Sequence, residues 1–390
     1  MRAIFSCAVR LFLGAALLGS AAGQLPLSPE DAKSIAPAFD SPSPNSLMCW
    51  MERWSPRLDF AFRFVTGYVT YCRLNQFEGR STSLVTYTRI TPEGKTPELF
   101  GMLERVPEIS AEMKQAIGGD LRKLKNDVGI SGAFALGEGK YSVELLLKDD
   151  RNRTYHRHWQ LRVAANRSER GVALAIRPLT VQSIEQYSGR AASSEREGKL
   201  RLTIFLDASP LNPYQSRLRA WDRAFLLETV YSVLRQTPHK TVHLVAFNLD
   251  QQSEIFRSDD FGSTAFRDLS HALQQVELSS VSVRALKKHD SPQFLVALAD
   301  QELAAGRCDA IIFLGPNTRM DTDVSEGALT QQTPTSPPFF YFEYFPGVGA
   351  DFPDSIDWLV KSTGGKVFVI HSPAQFDDSI DKMLARLSQD

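Results

Sequence analysis

The chain has 390 residues, more than one ordinary hydrophobic core holds, so two domains are expected. Its 43% hydrophobic and 23% charged content excludes a disordered chain. Lysine plus arginine number 44 against 45 aspartate plus glutamate, which excludes the basic footprint of a nucleic-acid binder.

Arg2 and Arg10 precede the apolar run LFLGAALL, and the small residues Gly19-Ser20-Ala21-Ala22-Gly23 follow it. A charged start, a short apolar core and small residues are the layout of a secretory signal, cut after Ala22 or Gly23. The apolar run is too short to span a bilayer, and no later segment is long enough, so no membrane span is expected in the mature chain. The expected location is secreted or periplasmic. Residues 24–46 are rich in Pro, Ser and Ala and read as a flexible leader. Cys7 leaves with the signal, and Cys308 lies far from the other cysteines. Cys49 and Cys72 fall in neighbouring predicted strands, so a Cys49–Cys72 bridge and two buried free thiols are both open.

From residue 47 the chain turns into strand-like runs separated by turn chemistry, among them LDFAFRFVTGYVTYCRL, SLVTYTRI and ELFGMLERV. In GKYSVELLLKDD, Tyr141, Val143, Leu145 and Leu147 share a face; in TYHRHWQLRV, Trp159, Leu161 and Val163 do. These two runs, joined across residues 149–152, predict a hairpin. Strands without intervening helices predict an antiparallel β-sandwich-like domain over 47–184, apart from a helical stretch at 110–127. His156 and His158 lie on the polar face of the second run, without a third metal ligand nearby in sequence.

Residues 185–199 (EQYSGRAASSEREGK) read as the linker. Beyond it strands and helices alternate: strand 200–207, helix 218–236, strand 242–249 with SEIFRSDDF as its hairpin partner, and helices 265–276 and 292–305. Strands 309–314 and 339–344, helix 355–361, strand 366–370 and helix 376–387 complete the pattern. Near-continuous apolar strands separated by helices predict a doubly wound α/β domain over 200–390, with a mostly parallel central sheet. The run FFYFEYF at 339–345 reads as a buried strand. His289-Asp290-Ser291 are adjacent, which is not how a catalytic triad meets. There is no Gly-x-Ser-x-Gly elbow and no phosphate-binding Gly-rich loop.

In this half, LRLTIFLDAS, TVHLVAFNLDQQSEIF, DAIIFLGPN and WLVKSTGGKVFVI come in an order that resembles a von Willebrand factor type A domain. The stretch is similar to the related domain of secreted acidobacterial proteins. The resemblance implies a divalent cation at the carboxyl ends of the strands, held by Asp-x-Ser-x-Ser, a Thr and an Asp. Asp207 and Ser209 match the first two positions. Leu211 stands where the second Ser belongs, Asn317 follows the strand that should end in Asp, and Ser291 is nearest to the Thr. The resemblance therefore implies a degenerate site of Asp207, Ser209 and Asn317, with at most a weakly bound Mg²⁺ or Mn²⁺. Without metal, Asp207 and Ser209 would satisfy backbone amides of the following loop.

The function expected from this resemblance is a non-catalytic interaction or adhesion module, more an interaction protein than an enzyme. Its protein partner would meet the loops after the parallel strands through Tyr214, Asn317, Asp321 and Asp351. Two alternatives stay open: a secreted hydrolase with Asp207 as acid/base, favoured by a pocket lined by Asp207 and a second carboxylate such as Asp321, or a structural envelope scaffold.

Overall fold

The computed structural model describes residues 24–106, 108–110, 114–115, 118–120, 126–184, 198–210, 218, 220–249, 251–262, 264–276, 291–317, 324, 327–344 and 353–388. The signal, almost all of the linker, most of the predicted helix at 110–127, and Leu211, His289 and Asp290 lie outside these residues. The chain forms two compact units. The first comprises residues up to Leu58, Arg63–Asn166 and Leu174–Gln186; the second comprises Asp59–Phe62, Arg167–Ala173 and Tyr187–Asp390. The architecture is an antiparallel sandwich region followed by a mostly parallel sheet flanked by helices.

Among the described residues, the first unit has nine strands: β1 (Leu25–Pro26), β2 (Cys49–Leu58), β3 (Phe64–Arg73), β4 (Thr82–Pro92), β5 (Glu98–Val106), β6 (Asp127–Leu136), β7 (Gly139–Asp149), β8 (Thr154–Val163) and β9 (Val181–Ser183). They form a five-stranded sheet in the order β1-β5-β4-β7-β8 and a four-stranded sheet in the order β2-β3-β6-β9. Strand β4 buries every second residue, the signature of a sheet with one face on the core. The hairpin of β7 and β8 turns over Asp149, whose carboxylate accepts from the amides of Arg151 and Arg153 and from the Arg153 guanidinium. Cys49 and Cys72 are opposite one another in β2 and β3 and are joined by a disulfide.

Residues 24–46 correct the reading of a flexible leader, because they carry helix α1 (Pro29–Asp40). Ser28 caps it, accepting from the Asp31 amide at 3.1 Å, and Pro29, Glu30 and Asp31 suit a first turn. Phe39 is buried beneath the Arg89 guanidinium. Upstream, the Gln24 side-chain amide donates to Thr88 and to the Tyr68 hydroxyl, and Ser183 donates to the Gln24 carbonyl. Composition alone hid a segment fixed by one cap, one aromatic and one amide.

Strand β6 was also hidden, since GISGAFA has weak strand propensity. Its small residues suit close packing: a β-carbon at Gly132 would sit 2.5 Å from the Tyr68 hydroxyl.

In the second unit, β10 (Leu200–Asp207), β11 (His239–Asn248), β13 (Ala310–Pro316), β14 (Phe339–Tyr344) and β15 (Lys366–Ile370) are parallel neighbours. Strand β12 (Ser253–Ser258) pairs antiparallel with β11, giving the order β12-β11-β10-β13-β14-β15. The helices are α2 (Ala220–Gln236), α3 (Ala265–Gln274), α4 (Ser291–Ala305), α5 (Ser355–Ser362) and α6 (Pro373–Leu387). One sheet face, with Phe205, Val245, Phe313 and Tyr341, packs against Leu295 and Leu298 of α4 and Ile356 and Leu359 of α5. On the other, Phe225 of α2 and Phe376 of α6 meet Tyr344 edge-on. Covering both faces explains why all residues of β13 and β14 are buried. No helix among the described residues is long and apolar enough to cross a membrane.

Candidate functional site at the carboxyl edge of the parallel sheet

The order of the sheet reverses between β10 and β13, because β10 is followed by β11 on one side and flanked by β13 on the other. In an open α/β sheet this switch point, at the carboxyl ends of the strands, is where ligands bind. Here the near-continuous apolar strands change character. Strand β10 ends in Asp207, fully buried, and β14 carries Glu343, 2% exposed.

These two carboxylates belong to one transverse row. Leu206 pairs with Leu314, and the next residue of β13, Gly315, pairs with Glu343, so Asp207, Gly315 and Glu343 lie abreast on three parallel strands. Two strand spacings set the outer α-carbons about 9.5 Å apart. Between them Gly315 carries no side chain, and a β-carbon there would lie 2.7 Å from Cβ of Asp207. The glycine thus lets the Asp207 side chain pack closely over the β13 backbone, between the two buried carboxyl groups.

The surroundings hold both side chains in place. The Ser209 hydroxyl donates to Asp207 Oδ1 at 2.7 Å, and Ser209 is itself 2% exposed. The Ala208 amide donates to the Phe247 carbonyl, and the Asn248 amide donates to the Ala208 carbonyl at 3.0 Å. Asn317 donates its side-chain amide to Glu343 and its backbone amide to the Tyr344 carbonyl. Two residues back along β14, on the same face as Glu343, the Tyr341 hydroxyl donates to Asp354 Oδ2 at 2.9 Å. Asp354 also caps α5, accepting from the Asp357 amide at 2.8 Å.

The electrostatics are those of crowded buried acids. Burial pushes the Asp354 carboxyl up to about 6, although the Asp357 amide and the Tyr341 hydroxyl pull the other way. Burial, then the negative charges of Asp354, Glu343 and Asp207, hold the Tyr341 phenol well above its ordinary range. Three carboxyl groups are therefore close enough to act on one phenol. Such an arrangement can share, store and transfer protons.

Of the residues named from sequence, Asp207 and Ser209 meet, whereas Asn317 is engaged with Glu343. Tyr214, Asp321 and Asp351 lie outside the described residues, and Ser291 opens α4. Among the described residues, no group of three His, Cys, Asp or Glu is arranged to hold a metal ion. Glu343 and Asp354 were missed. The signal for Glu343 was the single charge inside FFYFEYF; Asp354 looked like any residue before a helix.

No family model matches the chain, and no curated protein does. Solved structures that it is similar to include a lipoprotein from Bacteroides thetaiotaomicron, at 9% identity over 36% of this chain and 98% of that one, with a TM-score of 0.17. A β-glucuronidase 2 from Bacteroides uniformis matches at 8% identity over 76% of this chain and 36% of that one, with a TM-score of 0.19. A glycosyl hydrolase family 2 member from Bacteroides cellulosilyticus matches at 11% identity over 86% and 40%, with a TM-score of 0.20. The chain spans less than half the length of these hydrolases. At such scores the likeness carries no argument for an activity. No family model supports the assignment to a von Willebrand factor type A-like family, and these similar structures include glycosyl hydrolases and none named for that domain, so the assignment is corrected. The expectations drawn from that resemblance fall with it: a non-catalytic adhesion module, a degenerate metal-dependent adhesion site and a chain that is more binder than enzyme.

Proposed function

We propose that this protein is an exported hydrolase working by acid–base catalysis, with Asp207 and Glu343 as its catalytic pair. The observation that carries this reading is the row Asp207–Gly315–Glu343, two buried carboxyl groups on either side of a glycine at the carboxyl edge of the sheet. Hydrolysis needs one group to take a proton from water and another to give one to the leaving atom. Two buried carboxyls in one row supply the residue types for that need: one carboxylate to accept a proton and one carboxylic acid to give it. Asp354 and Tyr341 act as positioning residues, joined by the Tyr341–Asp354 hydrogen bond on the same face of the sheet as Glu343. Export is supported by the charged, apolar and small-residue start of the chain and by the Cys49–Cys72 disulfide, which suits an oxidising compartment.

The test is a panel of chromogenic glycosides, esters and peptides assayed with the wild-type protein and with Asp207→Asn and Glu343→Gln. The expected outcome is turnover on one class of bond, reduced by about 10²–10⁴ in each variant. Wild-type rates in either folded variant, or no turnover of any class by the folded wild type, would overturn the proposal.

A further inference from the structure

The opposite, amino edge of the same sheet carries a second site, built from different chemistry. A cleft of about 300 Å³ opens there, lined by Arg201, Leu202, Thr241, His243, Asp259 and Arg307 among others. His243 lies on β11, is 6% exposed, and points its two ring nitrogens in different directions. Nδ1 sits 2.7 Å from Oε2 of Glu302, a carboxylate of α4 that is 1% exposed. Glu302 is held in turn by Nη1 of Arg257 at 2.8 Å, and Arg257 is also held by Glu254. The imidazole is thereby fixed from behind by a buried acid.

Its other nitrogen, Nε2, lies 3.4 Å from Nη1 of Arg257 and 3.4 Å from Oδ1 of Asp259, which lines the cleft. Nη1 of Arg307 donates to that same oxygen at 3.1 Å. One guanidinium donor and, in its doubly protonated form, the imidazole therefore meet one carboxylate oxygen. The Asp259 side chain is 73% exposed, so solvent can take it back at little cost. Arg201, also lining the cleft, has its guanidinium on Asp309.

We infer that this cleft is a binding site for a small organic carboxylate, and that the Asp259 side chain fills the carboxylate's place when no ligand is bound. An incoming carboxylate would displace Asp259 and accept from the Arg307 guanidinium and from Nε2 of the doubly protonated His243, while Leu202 and Thr241 bound the organic part. The buried Glu302–Arg257 pair keeps His243 in position for this and prevents the imidazole from turning away. The site is separate from the carboxyl-edge residues and does not depend on their role.

Acetate is the probe, followed through the side-chain NMR resonances of the seven histidines in the full chain, with His243→Gln identifying the signal of His243. Acetate should shift that signal saturably, and uncharged acetamide should not. Removing the competing carboxylate in Asp259→Asn should tighten acetate binding by about tenfold, the worth of one charge-assisted contact. Arg307→Met, at an exposed position that leaves the fold intact, should weaken it by a similar factor. No shift with acetate in either wild type or Asp259→Asn would overturn the site, as would Arg307→Met binding acetate like wild type. Inorganic phosphate binding where acetate does not would overturn the carboxylate assignment.

Discussion

The two edges of the parallel sheet each bury carboxyl groups, yet they drive them in opposite directions. At the amino edge, burial would raise the Glu302 carboxyl, but contacts with His243 and Arg257 outweigh it and hold the group below the ordinary range. At the carboxyl edge, Asp354 is pushed up to about 6 by burial, and Asp357 adds to the rise. Desolvation acts on both. What differs is the company: a histidine and an arginine in one case, a phenol, two amides and another acid in the other. Burial alone therefore does not say whether an acid stabilises or stores a proton; the neighbours decide.

That contrast can be broken experimentally, and the largest effect is expected at the amino edge. Glu302→Ala would leave His243 and Arg257 without their buried counter-charge and should cost about 3–5 kcal/mol in urea unfolding. A loss below about 1 kcal/mol would mean that the pair is far better solvated than its burial suggests. At the carboxyl edge the effect should depend on pH. Asp354 has a folded-state pKa of about 6, above its ordinary 3.8, so its contribution is fully present below pH 4 and is lost as the pH rises through 6. Asp354→Asn keeps one acceptor oxygen for the cap, replaces the oxygen that faces Tyr341 with an NH2 donor, and cannot ionise. Between pH 4 and 7 it should gain about 2–3 kcal/mol relative to wild type in paired denaturation curves. A constant difference would show that Asp354 ionises normally. The smallest effect is Ser209→Ala, which removes one hydrogen bond to Asp207 and should cost about 1 kcal/mol. A neutral result would indicate that Asp207 is held by its other neighbours.

How much of this was legible in the sequence depends on the range of the forces involved. The strand and helix order of the second unit follows from local pattern: apolar runs such as TIFLD and AIIFL, helical spacing between them, and Gly364 at a positive φ after α5. The β7–β8 hairpin was readable for the same reason. Residues 24–46 were not, because what orders them is distant: Phe39 meets Arg89, and Gln24 meets Tyr68 and Thr88. Strand β6 was missed because its glycines suit neighbours on β3, Gly132 lying against Tyr68 and Gly129 against Tyr71 and Val69. At the candidate site, Asp207 and Ser209 are two residues apart and stood out. Glu343 is 136 residues from Asp207, and only strand register sets them abreast. The His243 cleft combines β11, α4 and the turns after β12 and α4, so scattered histidines gave no sign of it.

The ordered segment before β2 bears on how this protein should be handled. Trimming the chain at residue 47, a natural choice for anyone who takes the Pro- and Ser-rich stretch as dispensable, would strip the Gln24 amide from Tyr68 and Thr88 and the carbonyl from Ser183. It would also unroof Arg89, which loses both Phe39 and Asp40. Such a shortened protein should be harder to produce in the laboratory than the longer one. For recombinant work the sensible starting point is residue 24, and an affinity tag belongs at the other end.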